Sequence, residues 1–105
     1  MNEPQKNDRL DHKQRWDLLP LPLIEEVVKV YTFGAEKYEE NSWQNLPDGY
    51  RRYKAALLRH LVASDKGEVN DPESGLNHLA HVAWNAIAML HFKMEELKVK
   101  GGDKL

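Results

Sequence analysis

The chemically most versatile group in this sequence is a set of imidazoles and one amide within a segment that carries no formal charge. Residues 74–92 contain no Asp, Glu, Lys or Arg, although 30% of the chain is charged. The segment keeps His78, His81 and Asn85, which project from one side of a helix at these spacings. Two histidines three residues apart can bind a metal ion, donate hydrogen bonds to phosphate or transfer a proton. A single histidine on such a face is more often a hydrogen-bonded core residue, but three polar residues in register favour a functional site.

Two acidic clusters offer oxygen ligands near this segment. Glu68 and Asp71 form an E-x-x-D pair directly before it, and Glu36 lies at the end of an earlier predicted helix. Hard cations bind carboxylate oxygens together with substrate phosphates. Each cluster could instead be a solvated acidic loop, which is the favoured interpretation for Glu39 and Glu40. We therefore expect a Mg²⁺ (or Mn²⁺) site with ligands drawn from Glu36, Glu68, Asp71, His78 and His81.

Cationic and aromatic side chains outside the charge-free segment could hold a phosphorylated ligand. Lys37 and Arg59 are candidates for phosphate oxygens, Tyr38 and Trp43 for stacking on a base, and Asn85 for a further polar contact. Surface ion pairing is the alternative for Lys37, and core packing is the alternative for the aromatic residues.

Three residues are candidates for the chemical step. His60 follows an apolar run and is placed to orient a group or shuttle a proton, while Glu68 and His78 combine a carboxylate with an imidazole. The sequence therefore predicts a catalytic set of His60, Glu68 and His78.

Helical periodicity runs through most of the chain. Apolar residues recur at three- and four-residue steps over about residues 21–39, 48–67 and 75–98, with Ser74 as the expected N-cap of the third helix. No segment alternates with period two. The sequence predicts an all-α fold, a small bundle of three main helices that oligomerisation completes, because a 105-residue domain buries limited surface alone.

The third helix has two faces of different character. The polar residues share their face with Val82, Met89 and Phe92, so we expect that face to border an enclosed pocket or a helix–helix interface that a second copy closes. The helix is thus expected to be covered on both sides. The opposite face is a continuous apolar stripe made of Leu76, Leu79, Ala83, Ile87, Leu90, Met94 and Leu97.

The chain is expected to be one domain at residues 16–99, preceded by a mobile arm at 1–15 and followed by a frayed end at 100–105.

The composition of the chain narrows the class of protein to which it can belong. A net charge of -2 without basic clusters argues against a nucleic-acid partner. The absence of cysteine excludes disulfides and thiolate sites. No apolar segment suggests a signal peptide or a membrane partner, so we expect a cytoplasmic protein.

The segments "WDLLPLPLI", "GAEKYEENSW" and "RHLVASDKGEVNDPESGLNHLAHVAWNAIAML" together resemble the phage and prophage dATP/dGTP diphosphohydrolase N-terminal-type domain. The resemblance covers roughly residues 13–92. That family is regarded as related to the all-α, MazG-like nucleoside triphosphate pyrophosphohydrolases, which are typically dimers or tetramers. The resemblance implies metal-dependent hydrolysis of purine deoxynucleoside triphosphates (dATP/dGTP) to monophosphate and pyrophosphate. It also implies a role in phage nucleotide-pool control and a location in the host cytoplasm.

The sequence departs from the MazG-like metal signature, which is E-E-x-x-E on one helix and E-x-x-D on a later one. "HLAHVAWNAI" carries His78 and His81 where the later carboxylates stand, and "EEVVK" at 25–29 lacks the third Glu. An alternative therefore remains open, in which the chain is a non-enzymatic helical nucleotide-binding or regulatory module. In that case the His/Asn stripe would be an oligomer seam that fixes register.

Overall fold

The structure is a computed structural model that describes residues 12–101, with side chains through Val99. Within this part of the chain, three α-helices follow one another: α1 (Leu21–Lys37), α2 (Gly49–Asp65) and α3 (His78–Gly101). The described residues form no strand, only an isolated bridge between Asn70 and Asn77. The predicted all-α fold with three main helices is confirmed.

The predicted N-terminal arm and C-terminal end fall mostly outside the described residues, which exclude 1–11 and 102–105. Short 3₁₀ turns at Trp16–Leu18 and Ser42–Asn45 precede α1 and α2, respectively. None of the described helices combines the length and apolar content needed to cross a membrane.

The boundaries of α1 and α2 follow from local backbone preferences. A proline lies in the first turn of α1, where its missing amide is not needed and its fixed φ suits the helix. The helix ends because Tyr38 is extended, with φ −128° and ψ −177°. Asp48, with a left-handed φ of 57°, turns the chain into α2.

The start of α3 differs from the prediction. The helix begins at His78 rather than near Gly75, and its cap is Asn77 rather than Ser74, because the Leu79 amide donates to Asn77 Oδ1 at 2.8 Å. Residues 66–77, here called the α2–α3 loop, close on themselves before the helix starts. The Asp71 amide donates to the Leu76 carbonyl at 2.7 Å, and this hairpin-like closure leaves Ser74 at the loop tip.

An aromatic cluster joins the three helices. The indole of Trp84 on α3 makes edge-to-face contacts with Tyr31 of α1, Trp43 of the second 3₁₀ turn and Tyr53 of α2, at centroid separations of 5.7, 5.6 and 5.3 Å. Such contacts add to the apolar area that large rings bury. The cluster fixes how α3 lies against α1 and α2.

The polar face of α3 is buried within the single chain, without the second copy that was expected to close it. His78, His81 and Asn85 are only 3, 8 and 4% exposed within the single chain, and Ala88 continues this buried face. Both faces of α3 were expected to be covered. Within one chain only the polar face is covered. Much of the aliphatic stripe lies exposed, including Leu79, Ile87, Leu90, Met94 and Leu97.

Candidate functional site

Three elements bring potential metal ligands together at one end of the α2–α3 interface. His60 comes from the penultimate turn of α2, Asp71 from the α2–α3 loop and His78 from the first turn of α3. One ligand atom from each residue lies within 4.8 Å of the other two. Because the loop turns the chain back on itself, residues 18 positions apart in sequence become neighbours.

His78 is the central residue of this group. Its Nδ1 lies 2.8 Å from Nδ1 of His60, and its Nε2 lies 2.7 Å from Oε1 of Glu68. An ionised carboxylate only accepts hydrogen bonds, so Nε2 of His78 carries the proton. In the neutral ring the lone pair then lies on Nδ1, and His60 Nδ1–H donates to it. His60, Asp71 and His78 are here called the cluster, and Glu68 contacts it through His78.

A second layer holds the cluster in place. The rings of His60 and His81 stack with centroids 4.4 Å apart and an interplanar angle of 7°. His81 Nε2 lies 2.7 Å from the hydroxyl oxygen of Ser74, while the Ser74 amide donates to Asp71 Oδ2 at 2.8 Å. The loop tip therefore positions both an imidazole and a carboxylate.

The electrostatic environment favours neutral imidazoles beside one anion. Burial lowers the pKa of His60, and the neighbouring histidines lower it further. Burial likewise lowers the pKa of His81, although Asp71 opposes this shift. For Asp71 burial acts to raise the pKa, but the hydrogen bonds from Ser74 and the nearby imidazoles outweigh it and leave the pKa lowered. These shifts favour a neutral His60 ring and an ionised Asp71 carboxylate, which are the forms that bind cations.

The donor set does not fit a protein-held Mg²⁺ ion. Mg²⁺ requires near-octahedral oxygen coordination, whereas His60, Asp71 and His78 bring together two nitrogens and one carboxylate. The carboxylate of Glu68 is occupied by His78 Nε2. Imidazole nitrogen suits first-row transition metals better than Mg²⁺. Of the two ions expected from sequence, Mn²⁺ is the better match.

Two candidates from the end of α1 lie outside this group. Glu36 lines an open groove of about 310 Å³ between α1 and the loop, which Ser74 and Leu76 border on the other side. Lys37 forms an ion pair with Glu73, so it joins α1 to the loop tip. The groove and the cluster thus share Ser74 as a boundary.

The remaining predicted binding residues have separate environments. Tyr38 is 62% exposed, and the Lys37 ammonium lies 5.2 Å from its ring centroid. Trp43 is partly exposed and makes edge-to-face contacts with Tyr31, Trp84 and His91. Arg59 is exposed beside His60, with no ion pair to any described residue. Asn85 is buried and donates to the His81 carbonyl at 2.8 Å, which supports the helix rather than a ligand.

The role of Ser74 did not follow from the sequence. Ser74 was expected to cap a helix, whereas its hydroxyl contacts His81 and accepts a hydrogen bond from the Leu76 amide at 3.1 Å. The available signal was the glycine at position 75, because glycine readily adopts a positive φ. The φ of Gly75 is 74°, which permits the tight loop. Helical periodicity cannot detect such a contact, because the loop is not helical.

Comparisons with known proteins indicate the family of this chain. The sequence model of the family described as dATP/dGTP diphosphohydrolase, N-terminal, matches residues 3–101. The chain is also similar to a protein of Salmonella phage PMBT28 named dATP/dGTP diphosphohydrolase, with 39% identity over 69 residues. That alignment covers 61% of this chain but only 23% of the phage protein, so the chain spans less than a quarter of that relative. No solved structure matches the chain.

Proposed function

The chain belongs to the dATP/dGTP diphosphohydrolase N-terminal family, and from that premise we propose that it hydrolyses purine deoxynucleoside triphosphates. The proposed products are the monophosphate and pyrophosphate, and the proposed setting is nucleotide-pool control in the cytoplasm of a phage-infected host. One observation carries the proposal: His60, Asp71 and His78 converge at the loop end of the α2–α3 interface, where Glu68 and His81 orient them. The name of the phage relative supplies the substrate class.

The cluster contains the groups that anhydride hydrolysis requires. A neutral imidazole can accept a proton from the attacking water. His60 and His78 are the proposed catalytic imidazoles, and Glu68 acts by holding the proton on Nε2 of His78. A divalent cation bound by the cluster would polarise the phosphate oxygens and lower the pKa of water.

Substrate contacts are proposed along the edge of the cluster that faces solvent. Arg59 lies on α2 next to His60 and is exposed, so its guanidinium is available for bidentate contact with phosphate oxygens. The groove between α1 and the loop leads from Ser74 to Glu36, and Lys37 lies at the end of the same helix. Tyr38 presents an exposed ring for stacking on a base, whereas Trp43 already packs against other aromatic rings.

The alternative of a non-enzymatic module with a polar seam is less well supported. A seam needs its polar residues to be available to a partner helix, but His78, His81 and Asn85 are buried within one chain. They bond to Glu68, Ser74 and a carbonyl of their own helix, respectively. The polar set therefore serves the interior of the chain.

We also propose that the aliphatic stripe on α3 is the contact between copies in a dimer or tetramer. Its residues from Ala83 to Leu97 follow steps of four and three residues, the repeat that packs one helix against another of the same kind. The exposed fractions of Ile87, Leu90 and Met94 are 41, 56 and 53%. A second copy offers the identical stripe, so one two-fold contact covers both.

The hydrolytic proposal is tested by product analysis. The chain would be incubated with each of the four deoxynucleoside triphosphates and with Mg²⁺, Mn²⁺, Co²⁺ or EDTA, and products would be separated by ion-exchange chromatography. We expect monophosphate and pyrophosphate from dATP and dGTP, and none in EDTA.

Matched variants separate the cluster from contaminating activity. His60→Asn and Asp71→Asn should lower the rate of hydrolysis by at least about 100-fold. His12→Asn changes an exposed histidine outside the cluster and should hydrolyse at the rate of the parent chain. Diphosphate and phosphate as products would overturn the proposed cleavage site. Absence of turnover with every metal would overturn the proposal for this chain.

A further inference from the structure

The geometry of the cluster supports a conclusion about metal selectivity. We infer that His60, Asp71 and His78 form a binding site for one first-row transition-metal dication, and that this site discriminates against Mg²⁺. The inference deepens the proposed function, since the ion would occupy the proposed active site. Its test is made without nucleotide, so that the two proposals can fail separately.

The spacing of the two imidazoles matches shared coordination. Two nitrogens each about 2.1 Å from one ion, and at right angles to each other, lie roughly 3 Å apart. The Nδ1 atoms of His60 and His78 lie 2.8 Å apart, so a small shift admits an ion bonded to both. The Asp71 carboxylate reaches within 4.8 Å of both nitrogens. In the metal-free chain the Nδ1 proton inferred for His60 lies between these two nitrogens. To bind a cation through Nδ1, His60 would take its other neutral tautomer, with the proton on Nε2, so that both Nδ1 lone pairs are free for the ion.

The ring orientation of His78 is already that of a ligand. Its Nε2–H donates to Glu68 at 2.7 Å, which leaves the Nδ1 lone pair directed at His60. A carboxylate that holds the remote N–H of an imidazole is the usual support of a metal-bound histidine. His78 is 3% exposed, so bulk water does not compete for this lone pair. Stacking on His81 restrains the His60 ring in the same way.

The donor types select the ion. Two imidazoles and one carboxylate suit Mn²⁺, Fe²⁺, Co²⁺ or Zn²⁺, and three protein ligands leave positions for water and phosphate oxygens. Mg²⁺ dehydrates reluctantly and requires oxygen ligands. Glu36, the other carboxylate considered for this site, lies in the groove and outside the group of three.

The test is direct metal binding. The chelator-treated chain would be titrated with Co²⁺ and followed by visible absorption, which reports the ligand field, and with Mg²⁺, Mn²⁺ and Zn²⁺ by calorimetry. We expect one Co²⁺ per chain, displaced by Zn²⁺ and unaffected by a hundredfold excess of Mg²⁺.

Variants assign the ligands. Asp71→Asn keeps an oxygen for the Ser74 amide, and it should weaken Co²⁺ binding by at least about 10–100-fold. His78→Ala should abolish binding, but because this residue is buried, circular dichroism must first show that the variant folds. If it does not, Asp71→Asn and His60→Asn decide. His12→Asn and Glu39→Gln, which change exposed residues outside the cluster, should bind as the parent chain does.

The outcomes separate the two proposals. Equal binding of Mg²⁺, or Co²⁺ binding that folded cluster variants retain, would overturn the metal assignment. Turnover supported by Mg²⁺ without Co²⁺ binding would overturn it while leaving the hydrolase intact. Co²⁺ binding to the cluster without turnover of any triphosphate would uphold the site and overturn the hydrolase.

Discussion

The Nδ1 atoms of His60 and His78 lie 2.8 Å apart across the α2–α3 interface, and the far nitrogen of His78 is hydrogen-bonded to Glu68. This relationship assigns the protons of both rings, because the carboxylate can only accept. His78 carries its proton on Nε2, and His60 carries its proton on Nδ1. We predict these tautomers for the metal-free chain at pH 7.5.

Long-range ¹H–¹⁵N correlation spectra of the histidine rings check this prediction. The nitrogen shifts distinguish the two neutral tautomers, and His60→Asn and His78→Asn assign the signals. Co-existing equal tautomers at His78, or a proton on its Nδ1, would show that Glu68 does not orient the ring. Glu68→Ala should release the ring and lower the free energy of unfolding by about 1–3 kcal/mol, because the buried Nε2–H of His78 loses its acceptor.

Removal of the Arg59 guanidinium should weaken triphosphate binding. Arg59 is exposed beside His60, where a charge-assisted hydrogen bond to a phosphate oxygen is possible, so Arg59→Ala should raise KM by roughly tenfold. Steady-state kinetics with dATP and dGTP measure the change. Arg51→Ala is the matched control, since Arg51 already pairs with Asp48 at 2.5 Å. Equal effects of the two substitutions on KM would show that Arg59 does not contact the substrate.

Two glycines should respond in opposite directions to alanine. A Cβ at Gly49 would overlap the ring of Phe92, so Gly49→Ala should separate α2 from α3 and lower the free energy of unfolding by about 1–3 kcal/mol. Gly34 lies within α1, and a methyl group added to its Cα would meet no neighbouring atom within 4 Å. Gly34→Ala should stabilise the chain by up to about 1 kcal/mol. Urea unfolding measures both, and a stabilising Gly49→Ala would contradict the close approach.

Acid should destabilise the metal-free protein. Burial lowers the pKa of His60 and His81 below the ordinary value of 6.5. Below that pH the unfolded chain therefore binds more protons than the folded chain, so the free energy of unfolding falls as the pH decreases. Well above pH 6.5 the two rings are neutral in both the folded and the unfolded chain, so the free energy of unfolding no longer depends on their protonation. Thermal unfolding in EDTA between pH 5 and 8 measures this dependence, which His60→Asn should reduce. A melting temperature that rises on acidification would contradict the buried neutral rings.

A charge on the aliphatic stripe should dissociate the oligomer. Leu90 is 56% exposed at the middle of the stripe, so Leu90→Glu would place a carboxylate in the proposed contact between copies. Sedimentation velocity should then show monomer where the parent chain is dimeric or larger. Val99→Glu adds the same charge at a residue that is 83% exposed and off the stripe, and it should leave assembly unchanged. A monomeric parent chain would remove the proposal.

Much of the fold followed from local sequence signals. Apolar periodicity placed all three helices, prolines marked the start of α1, and the shared face of His78, His81 and Asn85 followed from helical geometry. The absence of charge around these residues correctly indicated that their side of the helix is covered. Proximity of Glu68 and Asp71 to this face was also expected, since the loop that carries them leads directly into α3.

Tertiary structure alone decided which face of α3 meets the rest of the chain. Periodicity states which residues share a face, but it contains no information on which face has a partner within the same molecule. The aromatic cluster around Trp84 and the closure of the α2–α3 loop orient α3 so that the histidines point inward and Leu90 and Met94 outward. The same packing brought His60 to His78 and left Glu36 in the groove. Contacts between helices depend on how their side chains fit together, and spacing along one helix cannot specify that fit.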